Sequence, residues 1–348
     1  MSSNNSTAEL NQTSTTVLSP EQLQEALYGF ELSQVIYVTA KLGLADCLRE
    51  GAKSSAELAL KMGANAKVLD HFLPLLLKLG LVTTDENQHY QLTPTGSLLR
   101  SDNPNSILGT VLSTAEIYQA WGNFLYSVQT GKAAFDDVFQ MSMYEYLAQQ
   151  AAANANFNRW MEETTRSWLL PALEHYDFSP FTSLVDIGGS TGVLTTAILT
   201  KYPQLQAIIF DQAHVVNGAE NILTAAGVSH RVQLCGGDFF ASVSSHGDLY
   251  IISRVLLNWD DEHALKILQN CRVAMSPTAK LLIIDFLLPN QNPTALDFLS
   301  SLHLFVLGGR LLRTEAEYYA LLSAAGFHSP RLIQTGGFIS FIEALPSL

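Results

Sequence analysis

The sequence predicts an α/β protein in two parts, a mostly helical N-terminal module followed by a parallel sheet covered with helices on both faces. Three observations predict it. Apolar residues Leu27, Phe30, Val35, Val38, Leu42 and Leu44 recur at roughly helical spacing in the first part. After Pro180, short apolar runs at 184–187, 207–210, 249–252 and 281–284 alternate with helical segments, the pattern of strands buried on both faces. The first of these runs leads through Gly188-Gly189-Ser190-Thr191-Gly192 into a helical stretch.

The chain has 348 residues, 47% hydrophobic and 15% charged, which suffices for two cores and excludes disorder over most of its length. Its formal charge of -13, with no local basic patch, argues against nucleic acid and anionic membranes as partners. Cys47, Cys235 and Cys271 lie in no CxxC spacing, so neither a disulfide framework nor a metal site is expected, and a reduced, cytoplasmic setting fits. Residues 1–20, polar and rich in Ser, Thr and Asn, read as a disordered tail without a secretory signal. Apolar stretches such as 281–288 stop well short of bilayer length, so a soluble chain is expected.

Taken in order, the helical pattern over 21–99 breaks near Gly43 and restarts at Ser54-Ser55-Ala56-Glu57-Leu58, which looks like a capped helix start. A further helix over 68–79 stops at Gly80. Leu81-Val82-Thr83 and Tyr90-Gln91-Leu92 then flank a polar turn at 85–88, as a small hairpin does. Helices followed by a hairpin suggest a winged helix. DNA binding is one use of that module and dimerisation another; with Lys67 and Lys78 alone on the candidate recognition helix, dimerisation is favoured. Residues 106–170 continue as helices, with Trp121, Phe135, Phe139, Tyr146 and Phe157 expected mostly in the core.

The chemistry concentrates after strand 184–187. Glycines at a strand-to-helix turn let a ligand approach bare backbone, although a merely tight turn has the same composition. The next strand ends in Phe210-Asp211, where a carboxylate can accept both hydroxyls of a ribose. A nicotinamide dinucleotide needs a GxGxxG turn, and this turn has no GxG step, so adenosine without a pyrophosphate fits better. After Val232-Gln233-Leu234 comes Gly237-Asp238-Phe239, an acid and an aromatic ring able to meet an adenine amine and face.

With these pieces in this order, the chain from about Gln22 onward resembles the small-molecule O-methyltransferases of the caffeic acid and acetylserotonin type, which use S-adenosylmethionine. The matching stretches are Val185 to Gly192, Phe210-Asp211, Gly237-Asp238-Phe239-Phe240, Ser253 to Glu262, and Gly308-Gly309-Arg310 ahead of Arg313-Thr314-Glu315. The resemblance implies a Rossmann-like methyltransferase domain over 171–348, a mostly helical winged-helix dimerisation domain over 21–105, a connecting and substrate-lid region over 106–170, and a homodimer. It implies that Asp186, Gly188, Gly189 and Gly192 line the methionine part, that Asp211 holds the ribose, that Asp238 and Phe239 hold the adenine, and that Ser253 and Trp259 close the pocket. Phe157-Asn158-Arg159-Trp160-Met161 resembles the helix whose methionine sits beside the transferable methyl, which makes Met161 either an acceptor contact or an ordinary core residue.

One departure shapes the functional reading. The family's general base is a His in Leu-His-Asp-Trp, and here the segment reads Leu256-Leu257-Asn258-Trp259, so Leu257 stands where the base should be. Of the two acids that flank the His in plant members, one position is Asp285 and the other falls in an apolar stretch near Leu311. His303, on a segment that forms one pocket wall in the family, is a candidate replacement base or a packed core residue. Asn258 can orient a substrate carbonyl, although capping the next helix is the favoured role; His263 reads as solvated surface. Leu257, Leu302, Phe305 and Leu307 imply a hydrophobic small-molecule acceptor.

Methyl transfer is an in-line displacement, so alignment and desolvation carry much of it. A lost base costs a phenol roughly 10²–10⁴ in rate but matters less to a nucleophile already deprotonated. The expected activity is therefore transfer from S-adenosylmethionine to an O or N nucleophile in specialised metabolism. Non-methylating chemistry on the same cofactor and a non-catalytic dimerising partner are the alternatives.

Overall fold

The computed structural model describes residues 19–347. The tail expected over 1–20 lies outside them except for Ser19 and Pro20, and those two begin a helix. Ser19 caps α1 (Pro20–Leu27) through a capping box with Gln22, and proline at the first helical position sacrifices no hydrogen bond. α2 (Gly29–Lys41) and the single turn α3 (Leu44–Cys47) meet at Gly43, whose φ of 69° breaks the helix. Only part of the expected apolar stripe is core: Leu44 is buried, whereas Leu27 and Phe30 are 65% and 50% exposed.

The Ser54–Glu57 capping box opens α4 (Ser55–Met62), and Asn65 caps α5 (Ala66–Lys78). β1 (Val82–Thr84) and β2 (Tyr90–Leu92) close as the expected antiparallel hairpin. Leu58, Leu69, Leu73, Leu76 and Val82 bury against one another beneath it.

A second helical layer runs through α6 (Leu108–Leu112), α7 (Thr114–Gly122), α8 (Phe124–Thr130), α9 (Ala134–Phe139), α10 (Met143–Gln149) and α11 (Ala151–Thr164). α11 passes through a π-helical turn, Thr165–Leu169, into the short α12 (Leu170–Ala172). Of the five aromatics expected here as core, Phe135 is fully buried, while Trp121, Phe139, Tyr146 and Phe157 are half-buried. The buried carboxylate of Glu163 ties α11 to α6, accepting from the Gly109 and Thr110 N–H groups at 2.8 Å each and from the Thr110 hydroxyl at 2.8 Å. These are N–H groups that the start of α6 leaves without intrahelical partners.

The sheet holds β3 (Ser183–Ile187), β4 (Gln206–Asp211), β5 (Val232–Gly236), β6 (Leu249–Ser253), β7 (Lys280–Phe286), β8 (Phe327–Gln334) and β9 (Ile339–Pro346) in the order β5-β4-β3-β6-β7-β9-β8. The first five are parallel; β3, β4, β6 and β7 are the four expected strands, and β5 joins them at the edge. β9 runs antiparallel to β7 and β8, a closing hairpin absent from the sequence reading. Its β8 arm is polar and bulged between His328 and Arg331, which obscures the strand pattern. Alternate residues feed two cores: Leu184, Ile209, Ile251, Leu282 and Phe341 on one face, Val185, Tyr250, Ile252, Ile283 and Ile342 on the other.

α13 (Val193–Lys201), α14 (Ala213–Val216), α15 (Glu220–Ala225), α16 (Asp261–Ala274) and α18 (Glu315–Ala324) belong to the sheet domain, whereas α17 (Ala295–Gly308) leaves it to pack on α7, α8 and α9. Strand order reverses direction between β3 and β6. Their carboxyl ends therefore open a crevice at the switch point, where ligands of such sheets bind. Among the described residues no helix is long and apolar enough to cross a membrane.

The Glu163 clamp generates a stability prediction. Glu163→Ala leaves the N–H groups of Gly109 and Thr110 unpaired inside the molecule and should lower the unfolding free energy by about 2–3 kcal/mol in urea titration; an unchanged midpoint would show that α6 is held by apolar packing alone.

Candidate functional site

At the crevice the chain leaves β3 through Gly188 and Gly192, with φ of 71° and 75°. The loop is drawn so tightly onto the strands that side chains are excluded. A Cβ at Gly188 would sit 2.6 Å from Val255, one at Gly189 2.8 Å from the Asp186 carboxyl carbon, and one at Gly192 2.7 Å from Ile209. Asp186 therefore lies under the loop instead of lining a ligand space. It is 1% exposed, and its carboxylate accepts the Thr195 hydroxyl at 2.6 Å. Burial, helped by the nearby Asp211 charge, pushes its pKa up to about 6 despite that bond. Asp186, expected to line the methionine part, thus sits beneath the glycine loop and is bonded to Thr195 on α13.

Asp211, at the tip of β4, accepts the Ser190 N–H at 2.9 Å on one oxygen and the Gln212 N–H at 2.7 Å on the other. A carboxylate offers about four lone-pair sites, so two remain for a diol. Its carbonyl takes the Gly237 N–H at 2.9 Å, tying this tip to the next. Asp238 uses one oxygen on the Phe240 N–H at 2.9 Å and presents the other at the exposed surface. Asn270 pins the same loop by donating to the Phe239 and Phe240 carbonyls at 2.8 and 2.9 Å. Phe240 stands perpendicular to Trp259 at 4.7 Å and Phe239 lies 6.1 Å from it, so an aromatic wall joins the end of β5 to the segment after β6.

Ser253 ends β6 with a buried hydroxyl that has no hydrogen-bond partner among the described residues. Beyond it Arg254 takes a φ of 54°, and its guanidinium donates to the hydroxyls of Thr164 and Thr165 on the helix above. Both hydroxyls in turn donate to the Met161 carbonyl, at 3.0 and 2.7 Å. Met161 is half-buried on this bridge.

The turn Leu256–Asn258 is fastened from two sides. Arg313, only 10% exposed at its side chain, donates to the Leu256 carbonyl at 2.8 Å and the Trp259 carbonyl at 2.6 Å. From below, Asp285 receives the Phe286 N–H at 3.0 Å and the Tyr318 hydroxyl at 2.8 Å. Asp285 is wholly buried. Its hydrogen-bond partners Phe286 and Tyr318 both belong to the scaffold, so Asp285, expected as a catalytic acid, sits beneath the turn. Leu257 itself is half-buried.

Asn258 does not cap the next helix. Asp260 does, accepting the His263 N–H at 3.0 Å, while Asn258 donates to the Arg254 carbonyl at 3.1 Å and its oxygen lies 3.5 Å from the Tyr144 hydroxyl. His263 is exposed beside Asp260, as expected.

His303 sits between two indoles. Trp121 Nε1–H donates to its Nδ1 at 3.3 Å, and Trp160 meets it edge-on at 6.1 Å. Burial lowers its pKa, which favours the neutral ring. Leu302 and Phe305 share its helix and are half-buried. A cavity of about 20 Å³, room for a single water, lies beside this group, lined by Phe135, Met143, Tyr146, Phe157, Trp160 and Leu307 among others. A larger cleft of about 270 Å³ opens at the opposite end of the strands, but its Glu343 is already held by Tyr176, Lys280 and Arg331. Trp160, Tyr144, Arg254, Arg313 and Tyr318 had no assigned role in the sequence reading. Arg313 and Trp160 fall inside quoted motifs, whereas nothing local marks Tyr144 or Tyr318.

Residues 121–328 match the O-methyltransferase domain, and residues 24–102 match the O-methyltransferase dimerisation domain. The chain belongs to the O-methyltransferase family. It is 38% identical over 325 residues to a phenazine O-methyltransferase of Lysobacter antibioticus, covering 93% of this chain and 95% of the relative. It is 31% identical to a phenazine-1-carboxylate N-methyltransferase of Pseudomonas aeruginosa, covering 89% and 92%. The human N-acetylserotonin methyltransferase, solved with S-adenosylmethionine, superposes with a TM-score of 0.85 at 26% identity over 97% of this chain and 100% of that one.

This protein is a methyltransferase, and S-adenosylmethionine is its cofactor. The residues present fit that group: an unpaired buried hydroxyl at Ser253, spare acceptor positions on Asp211 and Asp238, and an aromatic wall stand around one crevice.

Asp285 gives the methyltransferase scaffold a pH signature. Burial raises its pKa from the ordinary 3.8 to about 7, against the hydrogen bonds from Tyr318, Phe286 and Leu257 and the charge of Arg313. Between these values the folded state binds more protons than the unfolded one, so this group's contribution to stability falls as pH rises from about 4 to 7 and then levels. The stability of the wild type relative to Asp285→Asn should decline across that window in denaturant titrations; a difference that stays constant from acid to neutral pH would contradict the raised pKa.

Proposed function

We propose that this methyltransferase acts on an oxygen or nitrogen of a hydrophobic small molecule of specialised metabolism, and that it does so without a side-chain general base. The observation that carries this reading is Leu257. The turn that bears it is fastened by Arg313 above and Asp285 below, yet its side chain has no proton to take or give.

S-adenosylmethionine supplies an electrophilic methyl carbon. In the proposed assignment Gly188, Gly189 and Gly192 receive its methionine part on bare backbone, Asp211 accepts from the ribose hydroxyls, Asp238 and Phe239 meet the adenine, and Ser253 and Trp259 close the pocket. Asp186 keeps the glycine loop in place. On the acceptor side Met161, Leu257, Leu302 and Phe305 exclude water. A nucleophile in such surroundings is aligned and desolvated, which speeds displacement when its proton is already lost. The relatives named above act on a phenazine oxygen and on phenazine-1-carboxylate nitrogen, and a flat aromatic acceptor of that kind suits the rings of Phe157 and Trp160.

The proposal extends to assembly and organisation. Leu23 and Leu27 on α1, Tyr28 at the junction and Phe30 on α2 are each at least 50% exposed, and a homodimer formed through residues 21–105 would cover them. Residues 106–170 serve as the acceptor lid and 171–348 as the cofactor-binding domain.

The test is calorimetry with S-adenosylhomocysteine alongside mass detection of methylated acceptors. Asp211→Ala should weaken binding by at least about tenfold, the loss expected for hydrogen bonds to a charged group, whereas Glu86→Ala on the exposed hairpin should not. Equal effects of the two substitutions would overturn the ribose assignment.

A further inference from the structure

The sequence reading offered His303 as a replacement base. Its surroundings assign it a different task. An indole N–H can only donate, so the Trp121 Nε1–H directed at Nδ1 requires that Nδ1 carry a lone pair. In the neutral ring the proton then resides on Nε2. A base needs a free lone pair facing the acceptor; here the available lone pair is occupied by Trp121, and Nε2 offers an N–H.

Among the described residues the one hydrogen bond to the His303 ring is that from Trp121, which leaves the N–H free to meet a ligand. The ring is clamped between Trp121, stacked at 6.5 Å, and Trp160, edge-on at 6.1 Å, so it has one orientation to offer. Trp160 also lines the small cavity between α11 and α17 and is followed directly by Met161. His303 shares its helix with Leu302, Phe305 and Leu307, and both Leu307 and the ring's neighbour Trp160 line that cavity, so the imidazole lies beside the apolar region where the acceptor is proposed to bind. In such a place a single directed donor discriminates strongly between acceptors that answer it and those that do not.

We propose that His303 is a specificity-determining donor, fixed by Trp121 in the Nε2–H form, which recognises aromatic acceptors bearing a carbonyl or carboxylate oxygen or a ring nitrogen beside the methylated group. This rests on the reading of α11 and α17 as the acceptor walls. Trp121 is its positioning residue. No proton is transferred; the N–H remains on His303 throughout turnover.

Two measurements on the full chain test it. In protein labelled with ¹⁵N-histidine, two-bond proton–nitrogen NMR at neutral pH should show, for the ring whose signals are lost in His303→Gln, the Nε2–H form with a bare Nδ1, and a larger Nδ1–H share for that ring in Trp121→Phe. A ring that is doubly protonated, or protonated on Nδ1 in the wild type, overturns the assignment, and a tautomer unmoved in Trp121→Phe removes Trp121 as its cause.

Acceptor recognition is read by calorimetry of protein saturated with S-adenosylhomocysteine, using 8-hydroxyquinoline and 1-naphthol, which share size but differ in a ring nitrogen beside the hydroxyl. The wild type should bind the quinoline about three- to tenfold more tightly, the worth of one hydrogen bond, and His303→Phe should bind both alike. No preference in the wild type, including no binding of either probe, or a preference that survives His303→Phe, overturns the proposal. Loss of S-adenosylhomocysteine binding itself would instead overturn the cofactor assignment, so the two failures are distinguishable.

Discussion

The guanidinium of Arg313 is the contact on which the site depends. It bonds the carbonyls at both ends of the turn after β6 and reaches Asp261 at the start of α16 at 2.9 Å. Directed hydrogen bonds to carbonyls fix a short turn far more tightly than apolar packing can, because they constrain orientation as well as distance. From the opposite side Asp285 and Tyr318 fill the space beneath Leu257. The geometry of the turn is therefore determined by groups other than the Leu257 side chain it presents.

A second set of contacts joins the cofactor crevice to the helices above it. Arg254 leaves β6 in a left-handed conformation, costly for a non-glycine residue, and its reward is a pair of hydroxyls on the turn where α11 passes into π-helix. Such π-helical turns occur often at functional sites. Those hydroxyls hold the Met161 carbonyl, and two residues beyond Met161 Glu163 holds α6. The floor of the crevice and its helical cover thus meet along one continuous hydrogen-bonded seam. Displacement chemistry that relies on alignment requires such a connection.

Features encoded over short spans were legible in the sequence. The capping box at Ser54, the hairpin after Gly80, the parallel strands and the glycine turn before α13 follow from residues within a few positions of one another. The candidate cofactor residues Asp211, Asp238, Phe239, Ser253 and Trp259 were also legible, because each marks a strand end or the segment just beyond one. Burial was not. Asp186 and Asp285 stand in motifs like their neighbours, yet the fold seals both, and only the partners Thr195 and Tyr318 reveal this. Asn258 and Asp260 are equally good caps on paper, and the backbone after Trp259 decides for Asp260. His303 and Trp121 lie 182 positions apart, so no local pattern reports the bond that sets the imidazole's tautomer. The β8–β9 hairpin escaped notice for a related reason: its outer strand is polar, and only pairing with β9 makes it a strand.

In the proposed chemistry the nucleophile arrives with its proton gone and no side chain of this protein removes it. The most direct measurement is kcat/KM as a function of pH for a series of aromatic acceptors of graded acidity, in the wild type and in Leu257→His. The account predicts that in the wild type each acceptor's profile breaks at that acceptor's own pKa, and that Leu257→His adds a break common to all. A break common to every acceptor in the wild type would mean that an enzyme group takes the proton, and would contradict it.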